Sequence, residues 1–204
     1  GQGGKMPTLE YYLATISPNV YLAGTRMEEV AARHGLSVIY KPVDIMGLFS
    51  RTGGTAPKDR HISRQEYRLQ ELRRNAVKAD LPINMKPMFW PTNPAPSSYA
   101  VIAAQNAGGG DLGQLVFSIA RACWAEEKDI AQDDVIKSCL EAAGFDPSLA
   151  DSGLLSGAET YAANLEEAVG KGVFGLPFYI TEGDERFWGQ DRIADLDAHF
   201  AGNL

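Results

Sequence analysis

Short apolar runs alternate with helix-like patterns at the N-terminal end of the chain. "LEYYLATI" (9–16) is a continuous apolar and aromatic run, which is typical of a buried strand. The next segment, "NVYLAGTRMEEVAARHG", has apolar residues at helical spacing and stops at Gly35, and "LSVIYKPV" (36–43) predicts a second strand closed by Pro42. A right-handed strand–helix–strand crossover makes the two predicted strands parallel.

The middle of the chain has a mainly helical pattern. Residues 48–60 are rich in Gly, Thr and Pro and predict a loop, and residues 62–80 carry leucines at helical spacing and predict a helix. Residues 82–96 contain five prolines, which indicates an ordered but irregular segment. Three further helices are predicted from "SYAVIAAQNA", "DLGQLVFSIARACWAEEKDI" and "DDVIKSCLEAAGF".

The pattern returns to strands near the C-terminal end. Residues 156–172 predict a helix, with Ser156 and Glu159 in the register of a capping box. It is followed by predicted strands over 176–183 and 185–189 and a last helix from Gln190.

This order of elements predicts an α/β fold with a mixed sheet interrupted by a large all-helical insertion. Residues 6–45 and 157–204 supply the sheet domain, and residues 46–156 supply the helical insertion. A chain of 204 residues is long enough to bury a core of this size.

Composition narrows the possible partners. A formal net charge of −7 argues against a nucleic-acid surface, and no apolar run is long enough to span a bilayer. Cys123 and Cys139 form no CxxC pair, and His34, His61 and His199 are scattered, so we expect no metal site. Both cysteines lie in apolar helical patterns, which favours reduced core thiols in a cytoplasmic protein.

Chemistry-bearing residues stand out at three positions. In "ATISPNVYLAG", Ser17 and Pro18 suit a helix start, where Ser17 could act as a cap, contact an anion, or do both. In "VFGLPFYI", Pro177 opens a strand and predicts an edge or a tight turn, with a cis bond as an option. In "FWGQDRI", Gln190 and Asp191 open the last helix, where Asp is also an ordinary capping choice.

The order and spacing of these features resemble the thioredoxin superfamily. Within it, the chain resembles the 2-hydroxychromene-2-carboxylate isomerase family, a relative of the kappa-class glutathione transferases. The matching motifs span almost all of residues 9 to 200; they are "SPNVYLAG", "YKPVDI", "GGTAPKDR…EYRLQEL…A…LP", "WAEEKDI", "GVFGLPFYI" and "FWGQDRI". The resemblance implies a thioredoxin-like mixed sheet with a helical insertion, glutathione as the cofactor, and a homodimer.

The resemblance also implies roles for individual residues. Ser17 matches the catalytic serine, which stands where redox relatives have the attacking cysteine. Leu176, which precedes the cis-proline position Pro177, matches the residue whose backbone pairs with the cysteine of glutathione. The remaining matches are Trp188, Gly189, Gln190 and Asp191 at the γ-glutamyl end, and Lys41 and Asn93 in segments that line the acceptor side. One departure is Gly54, because relatives commonly carry Asn there.

The chemistry of the first motif is compatible with these roles. The quartet Ser17-Pro18-Asn19-Val20 lacks both cysteines of a Cys-x-x-Cys motif, so dithiol exchange through it is excluded. Asp191 would supply a counter-charge for the γ-glutamyl ammonium group. A Ser17 hydroxyl that donates to the glutathione sulfur would raise the thiolate fraction.

The function implied is reversible isomerisation of 2-hydroxychromene-2-carboxylate to trans-o-hydroxybenzylidenepyruvate, a step of aromatic hydrocarbon and naphthalene degradation. Two alternatives stay open at this point. One is a kappa-like glutathione transferase that conjugates electrophiles, with the same Ser17 and the same glutathione site. The other is a thioredoxin-like module that binds a peptide without catalysis.

Overall fold

A four-stranded mixed sheet forms the centre of the computed structural model, which describes residues 6–204. Its order is β2-β1-β3-β4. β1 and β2 are parallel, as predicted, and β3 runs antiparallel to both β1 and β4. The strands are β1 (Thr8–Leu13), β2 (Ser37–Pro42), β3 (Phe178–Thr181) and β4 (Arg186–Trp188).

Helices make up most of the rest of the described chain. The N-terminal set is α1 (Pro18–Ala23), α2 (Arg26–His34), α3 (Ile45–Thr52), α4 (Ile62–Ala79) and α5 (Ala95–Ala107). The C-terminal set is α6 (Leu112–Trp124), α7 (Asp133–Ala142), α8 (Leu149–Ser152), α9 (Leu154–Gly170) and α10 (Ile193–Phe200). Short 3-10 turns lie at Pro57–Asp59 and Gln190–Arg192.

The first predicted strand and helix are both shorter than the pattern indicated. β1 ends at Leu13, because a turn begins at Ala14, whose carbonyl accepts from the Ser17 N–H at 3.1 Å. The predicted single helix after Ser17 is two helices, α1 and α2. They separate at Gly24, whose φ of 57° cannot continue a right-handed helix.

Three predictions in the middle of the chain are wrong in part. Residues 48–60 do not form a loop throughout, because α3 continues to Thr52 and stops at Gly53 with a φ of 83°. The predicted helix over 111–130 ends at Trp124. The Ser156–Glu159 capping box is absent, since α9 already begins at Leu154.

The two faces of the sheet bury separate apolar clusters because side chains alternate along β1. Leu9, Tyr11 and Leu13 face the larger cluster, whereas Tyr12 faces a smaller one closed by α3 and α9. The larger cluster draws residues both from the sheet segment and from the predicted insertion, including Trp124. The division at residues 45 and 157 into two domains therefore remains a prediction.

Cys123 and Cys139 are free, buried thiols of the larger cluster, as the pattern predicted. Burial raises the pKa of the Cys123 thiol to about 12 and that of Cys139 to about 11, so neither is a nucleophile near neutral pH. Among residues 6–204, no helix has both the length and the apolar character needed to cross a membrane.

Candidate active site

Ser17 caps the first helix. Its Oγ accepts a hydrogen bond from the Asn19 N–H at 3.2 Å, and the capping interpretation is therefore confirmed. Only 5% of the residue is exposed. Within residues 6–204, no protein acceptor receives the Ser17 hydroxyl proton, which leaves that proton free for a ligand.

The start of α1 offers few other donors. Pro18 has no N–H, the Asn19 N–H is used by the Ser17 hydroxyl, and the Tyr21 N–H donates to the Ser17 carbonyl at 3.2 Å. α1 is also only six residues long, so its dipole is smaller than that of the long helix predicted from the sequence. The Val20 N–H takes part in no backbone hydrogen bond between residues 6 and 204, so the Ser17 hydroxyl and the Val20 N–H are the donors that this helix start can present to an anion.

Leu176 and Pro177 lie beside this helix start. The peptide bond between them is cis. β1 and β3 pair Tyr12 with Phe178, and continuing this register places Pro177 and Leu176 opposite Leu13 and the turn that leads to Ser17. Between residues 6 and 204, the Leu176 N–H and carbonyl take part in no backbone hydrogen bond, so both are free to pair with an extended ligand.

The loop after β4 is fixed against the cis-proline turn. The Gly189 N–H donates to the Pro177 carbonyl at 2.9 Å, and Gly189 has a φ of 108° that favours glycine. Gly175 lies so close to the indole of Trp188 that a Cβ at Gly175 would collide with Nε1. These contacts join the cis-proline turn to the loop after β4. The sequence motifs gave the order of the two segments along the chain but not their contact.

Gln190 and Asp191 have different environments within this loop. Gln190 is 7% exposed, and its Oε1 accepts from the Arg26 guanidinium, which also donates to the Leu22 carbonyl at 3.1 Å. Asp191 is exposed, and its Oδ1 lies over Gly189. Gln190 therefore fixes the loop against the junction of α1 and α2 through Arg26, whereas the Asp191 carboxylate can meet a cation. The predicted helix start at Gln190 is a 3-10 turn that leads into α10.

Lys41 belongs to a different cluster of charges. Its ammonium group pairs with Glu10 at 2.6 Å and with Glu167 of α9. The Tyr12 hydroxyl donates to Glu167 at 3.0 Å, and Lys171 pairs with Glu10 at 2.7 Å. Burial raises the pKa of Glu167, but hydrogen bonds from the two lysines outweigh this and lower it to about 2. These partners hold Lys41 on the sheet face that α9 covers.

Asn93 is exposed, and its side chain forms a hydrogen bond with the nearby backbone. Its Oδ1 accepts from the Ala95 N–H at 3.0 Å, a local turn bond that spans Pro94, the N-cap residue of α5. The predicted irregular segment that contains it is confirmed up to Pro94.

Two tryptophans fix the loop that precedes Ser17, and sequence reasoning missed both. The Ile16 carbonyl accepts from Trp124 Nε1 at 2.9 Å and from Trp90 Nε1 at 3.2 Å. The sequence did contain one signal. Trp90 lies in the Pro-rich segment, and the indole N–H of a Trp usually finds a hydrogen-bond partner when the ring is buried. The position of Ser17 is thus fixed by the residue before it, whose carbonyl accepts two hydrogen bonds.

The packing of a neighbouring side chain explains why a glycine fits at position 54. A Cβ at Gly54 would lie 2.5 Å from Cδ1 of Phe49, a half-buried residue of α3. The Phe49 ring therefore occupies the space that a side chain at position 54 would need. An Asn at this position requires Phe49 to move.

A helix start capped by Ser17 and a cis-proline turn on the neighbouring antiparallel strand together define a thioredoxin-like protein. The chain belongs to the family of DsbA-like thioredoxin domains, whose model matches residues 8–201. The predicted α/β, thioredoxin-like mixed sheet with many helices is therefore confirmed.

Relatives within this class carry isomerase names. A 2-hydroxychromene-2-carboxylate isomerase from Sphingobium xenophagum is 26% identical over 195 residues, covering 94% of this chain and 97% of the relative. A solved 2-hydroxychromene-2-carboxylate isomerase superimposes with a TM-score of 0.77 at 23% identity, covering 96% of this chain and 95% of that one. The resemblance to this isomerase family is thereby confirmed.

A solved disulfide reductase shares the fold as well. The cytosolic disulfide reductase DsbM from Pseudomonas aeruginosa, solved with glutathione, superimposes with a TM-score of 0.67 at 17% identity. The match covers 97% of this chain and 98% of that one.

Proposed function

We propose that this chain is a glutathione-dependent isomerase that interconverts 2-hydroxychromene-2-carboxylate and trans-o-hydroxybenzylidenepyruvate. The observation that carries the proposal is the free hydroxyl proton of Ser17 beside the unpaired backbone of Leu176. The names of the relatives support an isomerase that acts on a small molecule. Participation in aromatic hydrocarbon and naphthalene degradation, a cytoplasmic location and a homodimeric state belong to the same proposal.

The site residues offer partners for the cysteine and γ-glutamyl residues of glutathione. The N–H and carbonyl of Leu176 can pair with the cysteine residue of the tripeptide as a strand would. Asp191 stands at the end where the γ-glutamyl ammonium group would lie, with Trp188 and Gly189 before it. Such pairing places the sulfur near the turn that ends at Ser17. DsbM, with the same fold, was solved with glutathione.

Bound glutathione would supply a thiolate that adds reversibly to the conjugated carbon of the substrate. Ser17 donates its hydroxyl proton to the sulfur, and such a bond to a charged acceptor contributes roughly 1.5–3 kcal/mol. That energy corresponds to a thiol pKa lowered by about one to two units, from about 8.5. The buried position of Ser17 keeps water from competing for the sulfur.

The first prediction concerns the thiol itself. Purified protein should isomerise the chromene carboxylate with glutathione and lose the activity with S-methylglutathione, because the methylated sulfur cannot form a thiolate. The measurement is the absorbance change of the substrate as it converts, with each peptide at saturation. Turnover at the same rate without any thiol would contradict the proposal.

The same preparation separates the two alternatives. Conjugation of a halogenated nitroarene without turnover of the chromene would favour the transferase. Absence of glutathione binding in calorimetry would favour the peptide-binding module.

A second prediction concerns the γ-glutamyl end. Asp191→Asn should weaken glutathione binding about fivefold, because an exposed carboxylate contributes modestly to an ion pair. The matched control is Glu182→Gln, which removes an exposed charge from the β3–β4 connection. Calorimetry of both variants measures the effect, and equal affinities for glutathione would remove Asp191 from the site.

A further inference from the structure

The peptide unit between Ile16 and Ser17 uses all of its hydrogen-bonding capacity. The Ile16 carbonyl accepts from Trp124 Nε1 at 2.9 Å and from Trp90 Nε1 at 3.2 Å. The N–H of the same unit belongs to Ser17 and donates to the Ala14 carbonyl at 3.1 Å. A peptide unit has one donor and a carbonyl oxygen with two lone pairs, so these bonds leave none of its groups unpaired. They fix the plane of the unit from both sides.

The two indole bonds also keep a donor of α1 free. Val20 lies four residues after Ile16, which is the spacing of an α-helical hydrogen bond. Because the indoles occupy both lone pairs of the Ile16 carbonyl, that bond does not form, and the Val20 N–H takes part in no backbone hydrogen bond between residues 6 and 204. The Val20 N–H and the Ser17 hydroxyl proton are then both available to the same anion.

The orientation of the peptide unit sets the direction of the Ser17 side chain. The Cα of Ser17 lies in the plane of this unit, and the Cβ that carries the hydroxyl is bonded to that Cα. A rotation of the plane would therefore move the hydroxyl, and it would bring the negative end of the Ile16 carbonyl towards the helix start. An anion at Ser17 is favoured while the carbonyl is held by its two donors.

Trp124 is the stronger of the two donors. It is 0% exposed, so water cannot replace its N–H, and its bond is the shorter one. The carbonyl of Trp124 in turn accepts from the Asn84 N–H at 2.7 Å, at the end of α6. Trp90 is partly buried, and its ring centroid lies 5.4 Å from that of Trp124. Water can therefore offset the loss of the Trp90 N–H in part.

The rest of the turn has support of its own. The Thr15 hydroxyl accepts from Ser97 of α5 at 2.9 Å, and both residues are fully buried. The helix that supplies Trp124, α6, packs directly on α1. Removing one indole N–H should therefore loosen the Ile16–Ser17 unit without displacing the whole turn.

We propose that Trp124 is a positioning residue for the reaction at Ser17. Its indole N–H holds the Ile16 carbonyl away from the ligand sulfur, aims the Ser17 hydroxyl at that sulfur, and keeps the Val20 N–H free. Trp90 supplies a second, weaker bond to the same carbonyl. The proposal rests on the proposed function for the identity of the sulfur, and it is therefore also tested on a thiol that belongs to the chain.

The reporter is a Ser17→Cys variant, which carries a thiol in place of the Ser17 hydroxyl. The pKa of this thiol is measured from the ultraviolet absorbance of the thiolate, with no ligand present. Burial raises the pKa of Cys123 to about 12 and that of Cys139 to about 11, so neither native thiol contributes near neutral pH.

The Ser17→Cys variant is combined in turn with Trp124→Phe, with Trp90→Phe and with the control Ser97→Ala. Each phenylalanine keeps an aromatic ring and loses the N–H, whereas Ser97→Ala removes a buried bond to Thr15 of the same turn. We expect Trp124→Phe to raise the pKa of the introduced thiol by about 0.5 to 1 unit, and Trp90→Phe to raise it by less. Ser97→Ala should change it by no more than about 0.2 unit. An unchanged pKa in Trp124→Phe would overturn the proposal, as would an equal rise in Ser97→Ala.

The rate of isomerisation gives a second measurement. With Ser17 in place, Trp124→Phe should lower kcat about threefold to tenfold near pH 7 and leave the KM for glutathione within about twofold. The KM is expected to hold because the variant keeps the contacts at Leu176 and Asp191. A loss confined to KM would contradict a positioning role, since it would report weaker binding of glutathione alone.

A second variant keeps the test decisive if Trp124→Phe does not fold. Trp90→Phe then carries the test, because Trp90 is partly buried, and an unchanged thiol pKa in that variant would overturn the proposal. A failure of the glutathione proposal is distinguishable. A raised pKa of the introduced thiol without glutathione-dependent turnover contradicts the proposed function alone, whereas glutathione-dependent turnover with an unchanged thiol pKa contradicts the positioning role alone.

Discussion

Replacing Ser17 with alanine is expected to lower the rate of glutathione-dependent isomerisation about 8- to 25-fold near pH 7. The variant loses a hydrogen bond to the thiolate of roughly 1.5–3 kcal/mol, and each 1.4 kcal/mol corresponds to about a factor of ten. Only ~3% of a thiol with a pKa of about 8.5 is ionised at pH 7. The deficit should therefore shrink as the pH rises towards 9, where glutathione ionises without help.

The rate of Ser17→Ala should be measured across this pH range, with Asp111→Ala as the control. Asp111 also caps a helix, because its Oδ1 accepts from the Gln114 N–H at 3.0 Å. Both variants lose a cap worth about 1 kcal/mol of stability, but only Ser17→Ala removes a hydroxyl from the site. A wild-type rate for Ser17→Ala at pH 7, or equal deficits at pH 7 and pH 9, would contradict the role of the hydroxyl.

Replacing Glu28 with glutamine is expected to stabilise the protein by about 2–3 kcal/mol at pH 8 and to have little effect at pH 5. Glu28 of α2 packs its side chain against Gly113 in the first turn of α6. Its Oε2 is buried and, within residues 6–204, has no hydrogen-bond partner. Burial raises the pKa of this carboxyl group to about 7, although the backbone N–H of Glu28 and the nearby Tyr40 hydroxyl partly oppose the shift.

The direction of this pH dependence follows from the number of protons that the folded and unfolded states bind. Between the unfolded pKa of about 4.3 and the folded pKa of about 7, the folded state holds a proton that the unfolded state has lost. The free energy of unfolding therefore falls as the pH rises through this window, by about 3–4 kcal/mol in all. The amide that replaces the carboxyl group in Glu28→Gln keeps an acceptor for the Tyr40 hydroxyl and carries no charge to desolvate.

Urea unfolding at pH 5 and pH 8 measures this effect. The matched control is Glu29→Gln, which removes the neighbouring exposed charge and should change stability by no more than about 0.5 kcal/mol at either pH. An identical stability difference between wild type and Glu28→Gln at both pH values would show that Glu28 does not titrate as inferred.

Local patterns predicted the parts of the fold that local chemistry determines. The parallel β1–β2 pair follows from two apolar runs flanking a helical pattern, and Ser17 followed by Pro18 marks a helix start. The helix break at Gly24 was missed because an apolar stripe continues on both sides of it, and a single Gly is tolerated in many helices. α3 was missed because its only fully buried side chain is Leu48.

The candidate site was predictable only as a set of separate motifs. The bond from Gly189 to Pro177 and the two indole bonds to Ile16 join residues far apart in sequence, and no local pattern reports such contacts. Lys41 was expected on the acceptor side, but its partners include Glu167, 126 residues away. The strand pattern determines the face on which Lys41 lies, but not the long-range partners that it meets there, and its acceptor-side role remains a prediction.

The pKa of the glutathione thiol in the complex tests the central claim most directly. Ultraviolet difference titration of the thiolate, with glutathione saturated by protein, reports this pKa for the wild type and for Ser17→Ala. The account predicts a value about one to two units below the free value of about 8.5 in the wild type, and a return towards 8.5 in Ser17→Ala. A bound thiol that titrates like free glutathione in the wild type would contradict it.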